Sequence, residues 1–154
     1  MNAANICSLA LALWAQGDEG GYAKQLPEMA IVCEHVVAKA EILDMDPYIA
    51  AAIAWEESRF NDGAVSPEGA IGPMQVIPRW ACPNRTRVGC DLVDAGINAY
   101  LGWLEKYDKP REALCHYNSG NRCTTRSRGY ARRVSKRAAQ LRQVVEVCQY
   151  SCGC

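Results

Sequence analysis

Apolar residues recur every three or four positions along most of the chain, a spacing typical of helices that pack on a core. Pro27 suits the first turn of one helix, and Asp46 followed by Pro47 combines an N-cap with a proline at the first helical position. Residues 61–80 are rich in Gly, Pro, Asn and Asp and are predicted to form a loop, with at most a small β element at 63–77. The pattern predicts six helices, at about residues 3–16, 27–43, 47–58, 91–107, 110–117 and 127–148. The fold class is therefore predicted to be mainly α.

The length and composition are those of one globular domain. The chain has 154 residues, of which 49% are hydrophobic and 22% charged. No apolar run approaches the roughly 20 residues needed to cross a membrane, so no transmembrane segment is expected. The apolar run at residues 6–14 is short and no basic residue precedes Lys24, so we interpret it as the first helix rather than as a signal peptide.

The charge is balanced overall but unevenly distributed. Residues 1–70 carry eleven acids and three bases, whereas residues 113–145 carry eight bases and no acid. A basic C-terminal face could help the protein dock on anionic material, or it could be a solvated helix face. The basic run contains Tyr130 but no interleaved aromatic platform for bases, so no nucleic acid partner is expected.

Nine cysteines are many for this length and favour disulfides and an oxidising compartment. Cys82 and Cys90 are eight residues apart, as are Cys115 and Cys123, so either pair could close a loop, although spacing alone does not fix the pairing. The odd count leaves at least one thiol free or bonded to another chain. A zinc site at Cys148, Cys152 and Cys154 with His35 or Cys33 fits the usual ligand spacing poorly, and no metal or cofactor is expected.

Four motifs carry the candidate chemistry, at residues 51–61 (AAIAWEESRFN), 70–75 (AIGPMQ), 116–120 (HYNSG) and 129–133 (GYARR). In this order they resemble the motifs of the lytic transglycosylases of the soluble-lytic-transglycosylase (SLT) type, which cut the glycan strands of peptidoglycan. The resemblance covers about residues 47–135. It implies a lysozyme-like α+β fold with little sheet, as a single domain over 1–154, with the helices of residues 1–45 and the Cys-rich tail 146–154 packed on it.

Glu57 is the candidate catalytic residue. An acid that protonates a leaving oxygen near neutral pH needs a raised pKa, because a free Glu at about 4.3 is already ionised there. The apolar residues around Glu57 and the C-terminal end of the helix dipole both act in that direction. Glu56 is the rival, but adjacent helical side chains diverge by about 100°, so only one can face a cleft. The family pattern places its acid directly before the serine, which selects Glu57.

The resemblance also implies the reaction. A single Glu acts as acid and then as base, and the C6 hydroxyl of N-acetylmuramic acid (MurNAc) attacks its own anomeric carbon, which leaves a 1,6-anhydro product. No second carboxylate stands at an equally recognisable position. Three alternatives remain: a hydrolytic muramidase on the same fold, a non-catalytic wall-binding component of a virion or secretion system, and a nucleic-acid binder with a basic helix.

Supporting roles follow from the same match, for Ser58, Gly72, Met74, Gln75, Tyr117, Asn118 and Tyr130. The Tyr130 hydroxyl is expected to reach the catalytic Glu, and the Tyr117–Asn118 pair to line the saccharide groove. Met74 offers an apolar surface for a sugar face, and Gln75 a hydrogen-bonding amide. Pro73 departs from the Leu often found there, which stiffens the loop and removes one N–H donor.

The implied setting is the cell wall, in the periplasm or outside the cell, or in a virion that opens the wall. The expected partner is the glycan strand of peptidoglycan, and a virion or secretion apparatus is a candidate protein partner.

Overall fold

The computed structural model describes residues 1–16 and 21–151, and its regular structure is almost entirely helical. The described residues form seven α-helices: α1 (Ala3–Trp14), α2 (Leu26–Ile42), α3 (Pro47–Ser58), α4 (Pro78–Ala81), α5 (Leu92–Tyr107), α6 (Pro110–Ser119) and α7 (Thr125–Ser151). Their β structure is limited to isolated bridges that join Val65 to Ile71 and Ile71 to Val76. The prediction of a mainly α, lysozyme-like fold with little sheet is confirmed.

The predicted helix starts rest on local capping. The Asp46 carboxylate accepts hydrogen bonds from the backbone N–H groups of Tyr48 and Ile49, and Pro47 occupies the first turn of α3. Asp91 caps α5 in the same way. The ends are less well predicted: α6 and α7 run two and three residues further than expected, and the short helix α4 begins at Pro78 inside the predicted loop.

Helix α3 lies at the centre of the fold. It packs against α2 on one side and α7 on the other, and residues 50–55 are all buried. Four of these six residues are alanines, and their small side chains let the neighbouring helices approach closely. The C-terminal end of α3, which carries the Glu56–Glu57 pair, is therefore held between elements from both halves of the chain.

Three disulfides join described cysteines. Cys7 bonds to Cys33 and links α1 to α2, while the pairs Cys82–Cys90 and Cys115–Cys123 each close a short segment. Since Cys33 is bonded to Cys7, it is not available for the zinc site considered above. Cys152 and Cys154 of that site lie outside the described residues. None of the described helices is long and apolar enough to span a membrane.

Candidate active site

Glu57 occupies the last turn of α3, just before the chain reverses. Arg59 and Phe60 both adopt left-handed backbone angles, with φ of 57° and 56°, so the helix stops and the chain turns into the following loop. Burial raises the pKa of the Glu57 carboxyl to about 7, and the negative charge of Glu56 acts in the same direction. Tyr130 and the positive charge of Arg133 oppose the rise in the pKa without cancelling it. The carboxyl is therefore poised to give and take a proton near neutral pH.

Two tyrosine hydroxyls from different helices stand near Glu57. Tyr130 on α7 is buried, and its hydroxyl has no partner with full hydrogen-bond geometry among the described residues. It is nevertheless a hydrogen-bonding neighbour of Glu57 and lowers the pKa of that carboxyl. Catalytic hydrogen bonds are often long before a substrate binds and tighten afterwards. Burial raises the pKa of Tyr130 well above its usual range, so this hydroxyl remains a proton donor.

Tyr117 connects α6 to the loop after α3. Its hydroxyl donates a hydrogen bond of 2.7 Å to the backbone carbonyl of Met74. Burial and the charge of Glu57 raise the pKa of Tyr117 well above its usual range. Asn118, the next residue, is exposed and is free to meet a ligand in solvent.

Gly72 allows the loop its tight turn. Its φ is +78°, which favours glycine, and a Cβ built there would lie 2.8 Å from Cδ1 of Leu92. The side-chain nitrogen of Gln75, Nε2, donates hydrogen bonds to the backbone carbonyls of Ala64 (3.1 Å) and Gly72 (3.0 Å). The side-chain nitrogen thus holds the loop together.

Ser58 and Met74 join this loop to the core. The Ser58 hydroxyl lies 2.8 Å from the Pro73 carbonyl, where it donates, and it accepts from the Asn61 N–H at 3.1 Å. The Met74 side chain is fully buried against Gly96 of α5, where an added Cβ would lie 2.7 Å from Met74 Cβ. The Met74 side chain is therefore not exposed to a sugar, contrary to the expectation from the sequence.

His116, which precedes Tyr117, is a packing residue. Its ring stacks on those of Tyr107 and Trp103, with centroid distances of 4.2 and 5.0 Å, and its Nδ1 lies 2.6 Å from the carbonyl of Gly120. His116 therefore packs and hydrogen-bonds at the end of α6.

Glu56 has a defined environment that sequence reasoning missed. Its side chain is only 6% exposed and is ion-paired with two arginines of α7, at 3.1 Å from Arg133 Nε and 2.5 Å from Arg137 Nε. Burial alone would raise the pKa of Glu56, but the hydrogen bonds and charges of the two arginines bring it below its usual value. The pKa values of the two adjacent carboxyls are thus shifted in opposite directions. At a pH between them, Glu56 is ionised while Glu57 still holds its proton.

One group of metal-ligand types comes together among the described residues. Atoms of Glu112, His116 and Cys123 lie within 4.8 Å of one another. Cys123 is bonded to Cys115, however, and a disulfide sulfur does not bind metal as a thiolate does. These residues do not fit a metal in the oxidised protein.

A cavity of about 580 Å³ opens beside the end of α3. One wall is formed by residues 58–63, and the other comes from residues 22–32, which include the start of α2. The N-terminal part of the chain therefore forms one wall of a cavity that lies next to the candidate site.

Comparison with known proteins places this geometry in a family. The transglycosylase SLT domain matches residues 35–140, well over half of the chain, and the match includes Glu57, Gln75, Tyr117 and Tyr130. No curated protein and no solved structure matches the chain. The matched range contains all four motifs on which the sequence resemblance depends. The chain belongs to the transglycosylase SLT domain family, whose members act on peptidoglycan.

Proposed function

We propose that the protein is a peptidoglycan lytic transglycosylase that cleaves the β-1,4 bond between MurNAc and N-acetylglucosamine, with Glu57 as acid and then as base. The observation that carries the proposal is the environment of Glu57. Its carboxyl has a pKa raised to about 7 by burial, at a helix end where buried tyrosine hydroxyls approach it. Membership of the family supplies the substrate class.

The chemistry needs one proton carried by Glu57. The protonated carboxyl gives its proton to the glycosidic oxygen, the bond from that oxygen to the anomeric carbon of MurNAc breaks, and positive charge develops on the sugar. The carboxylate that remains then takes the proton of the C6 hydroxyl as its oxygen attacks the anomeric carbon. A 1,6-anhydro ring forms, Glu57 is protonated again, and no water is consumed.

The surrounding residues have separate roles in this scheme. Tyr130 donates towards the carboxylate in the step where Glu57 is ionised. The Tyr117 hydroxyl fixes the Met74 carbonyl and with it the loop. Gln75 and Asn118 offer amides to the acetamido and hydroxyl groups of the glycan.

The hydrolytic alternative would favour a second carboxylate that activates water. Within residues 1–16 and 21–151, the other carboxylate that acts on the pKa of Glu57 is Glu56, and two arginines occupy it. Both oxygens of Glu56 accept hydrogen bonds from arginines, so Glu56 itself is not suited to activate water. We further propose that the protein works at the cell wall, in the periplasm or outside the cell, where its disulfides are stable. A virion or secretion-apparatus partner stays a prediction.

The test is mass spectrometry of fragments released from purified peptidoglycan. Wild-type protein should release fragments that end in 1,6-anhydro-MurNAc, Glu57→Gln should release none, and the exposed control Glu105→Gln should match wild type. Fragments with reducing ends would replace the transglycosylase by a muramidase. Cleavage by Glu57→Gln at the wild-type rate would refute the assignment of Glu57, and the lack of fragments from wild type would favour a wall-binding protein.

A further inference from the structure

An ion-pair cluster lies where the end of α3 meets α7, next to the reacting carboxyl. We call Glu56, Arg133 and Arg137 the Glu56 cluster. Glu56 is almost completely buried, whereas the side chains of Arg133 and Arg137 are 57% and 28% exposed. A buried carboxylate is costly unless it is paired, and here both of its oxygens are taken by arginine Nε groups. The Glu56 carboxylate therefore ties the end of α3 to the part of α7 that carries Arg133 and Arg137.

The cluster and Tyr130 lie on the same face of α7. Arg133 and Arg137 follow Tyr130 by three and seven residues, which are spacings that return to one face of a helix. On α3, Glu56 is the immediate neighbour of Glu57. The same helix contact that joins Glu56 to its arginines therefore brings the Tyr130 hydroxyl towards Glu57.

We propose that the Glu56 cluster is a positioning element for Glu57: its ion pairs hold the Glu56 carboxylate and the Arg133 guanidinium in fixed places beside the Glu57 carboxyl and so set the balance of charge there. Glu56 does not touch the substrate in this scheme and acts through Glu57. The catalytic consequence rests on the function proposed above, but the effect on the ionisation of Glu57 does not.

The charged and titratable groups that act on Glu57 come from three helices. Glu56 is on the same helix, Tyr130 and Arg133 are on α7, and Tyr117 is on α6. The charge of Glu56 raises the pKa of Glu57 and that of Arg133 lowers it. Removing the charge of Glu56 should therefore lower the pKa of Glu57, and removing the charge of Arg133 should raise it.

Opposite directions separate this role from a purely structural one. If the cluster only braced the helices, losing either partner would loosen the contact, let water reach Glu57 and lower its pKa in both variants. In the proposed role, Glu56→Gln lowers the pKa of Glu57, whereas Arg133→Met raises it. The effective dielectric constant for these partly exposed groups lies between those of protein and water. Removing one unit charge beside Glu57 should then change its pKa by about half a unit.

The experiment is a carbon-13 NMR titration of the Glu57 carboxyl in the full chain with its disulfides intact, with the signal assigned from Glu57→Gln. We expect the midpoint to fall by about half a pH unit in Glu56→Gln and to rise by about as much in Arg133→Met. Arg133→Lys keeps the charge and should stay near wild type. Arg132→Met removes the same charge from the adjacent exposed position and should also leave the midpoint unchanged.

A fall in both variants, or a midpoint that moves in neither, would overturn the proposal. The alkaline limit of peptidoglycan cleavage should move with the NMR midpoint, since the protonated carboxyl is the active form. A further outcome is that the midpoint moves in opposite directions in Glu56→Gln and Arg133→Met while Glu57→Gln still cleaves peptidoglycan. That result would refute the proposed function and would support the proposed role of the Glu56 cluster in the ionisation of Glu57.

Discussion

Replacing Glu57 with Gln should stabilise the folded protein at neutral and alkaline pH. Burial raises the pKa of this carboxyl from 4.5 to about 7, so the folded protein holds a proton that the unfolded chain has already lost. Gln has nearly the shape of a protonated Glu and no proton to lose. The variant should therefore escape a cost that the wild type incurs for its active site.

The magnitude follows from linkage. Below pH 4.5 the carboxyl is protonated in both states, and the two proteins should be about equally stable. As pH rises from 4.5 to about 7, the folded state binds more protons than the unfolded state, so the stability of wild type falls relative to the variant. Above that window the difference is complete, at about 3 kcal/mol on the scale of 1.36 kcal/mol per pKa unit.

The assay is denaturant unfolding of wild type, Glu57→Gln and the exposed control Glu105→Gln, with disulfides intact, at several values from pH 4 to 8.5. The free energy of unfolding of the Gln variant should rise above that of wild type across the window, until it is about 3 kcal/mol higher at the alkaline end. A difference between Glu57→Gln and wild type that does not change with pH would refute the idea that Glu57 is buried with a raised pKa. Glu105→Gln should show no such trend.

Three further predictions concern the support of the site. Tyr130→Phe should lower turnover and move the alkaline limit of activity to higher pH, because it removes a group that lowers the pKa of Glu57; an unchanged pH–rate profile would deny their contact. Ser58→Ala should lower the free energy of unfolding by about 1–3 kcal/mol, measured by denaturant unfolding, because its hydroxyl bonds backbone groups of two segments; a loss below that range would mean that water replaces these bonds. Gly96→Ala should displace the Met74 side chain and reduce cleavage of peptidoglycan, since the new Cβ would lie 2.7 Å from Met74 Cβ; wild-type stability and cleavage would show that the loop adapts.

Features of the fold that depend on a few neighbouring residues were predicted well. Asp46 and Asp91 cap their helices through N–H groups two and three residues ahead, so the signal and the structure lie within one turn. The end of α7 was predicted less well, because no proline or glycine after Gly129 stops the helix before Ser151. Helix ends without such residues depend on packing, which the local sequence does not record.

The parts of the site that join distant segments could not be predicted in this way. Glu56 pairs with residues 77 and 81 positions away, and nothing in its own sequence neighbourhood distinguishes it from a solvated surface Glu. The burial of Met74 depends on a glycine of α5 that leaves room for it. The role of Tyr130 is predicted only by the resemblance to a family, because nothing in the local sequence distinguishes a catalytic tyrosine on a long helix from a core tyrosine.

The N-terminal helix has a consequence for the smallest chain that can work. Trp14 of α1 packs on Trp55 and Phe60 at the end of α3, with ring centroids 5.8 and 6.3 Å apart, and the Cys7–Cys33 bond ties α1 to α2. The family match begins only at residue 35. A protein cut back to the matched range would expose the aromatic rings behind Glu57 and lose one wall of the adjacent cavity. The residues that pack around the end of α3 therefore extend beyond the range that the family shares, and fragments for biochemical study should keep α1.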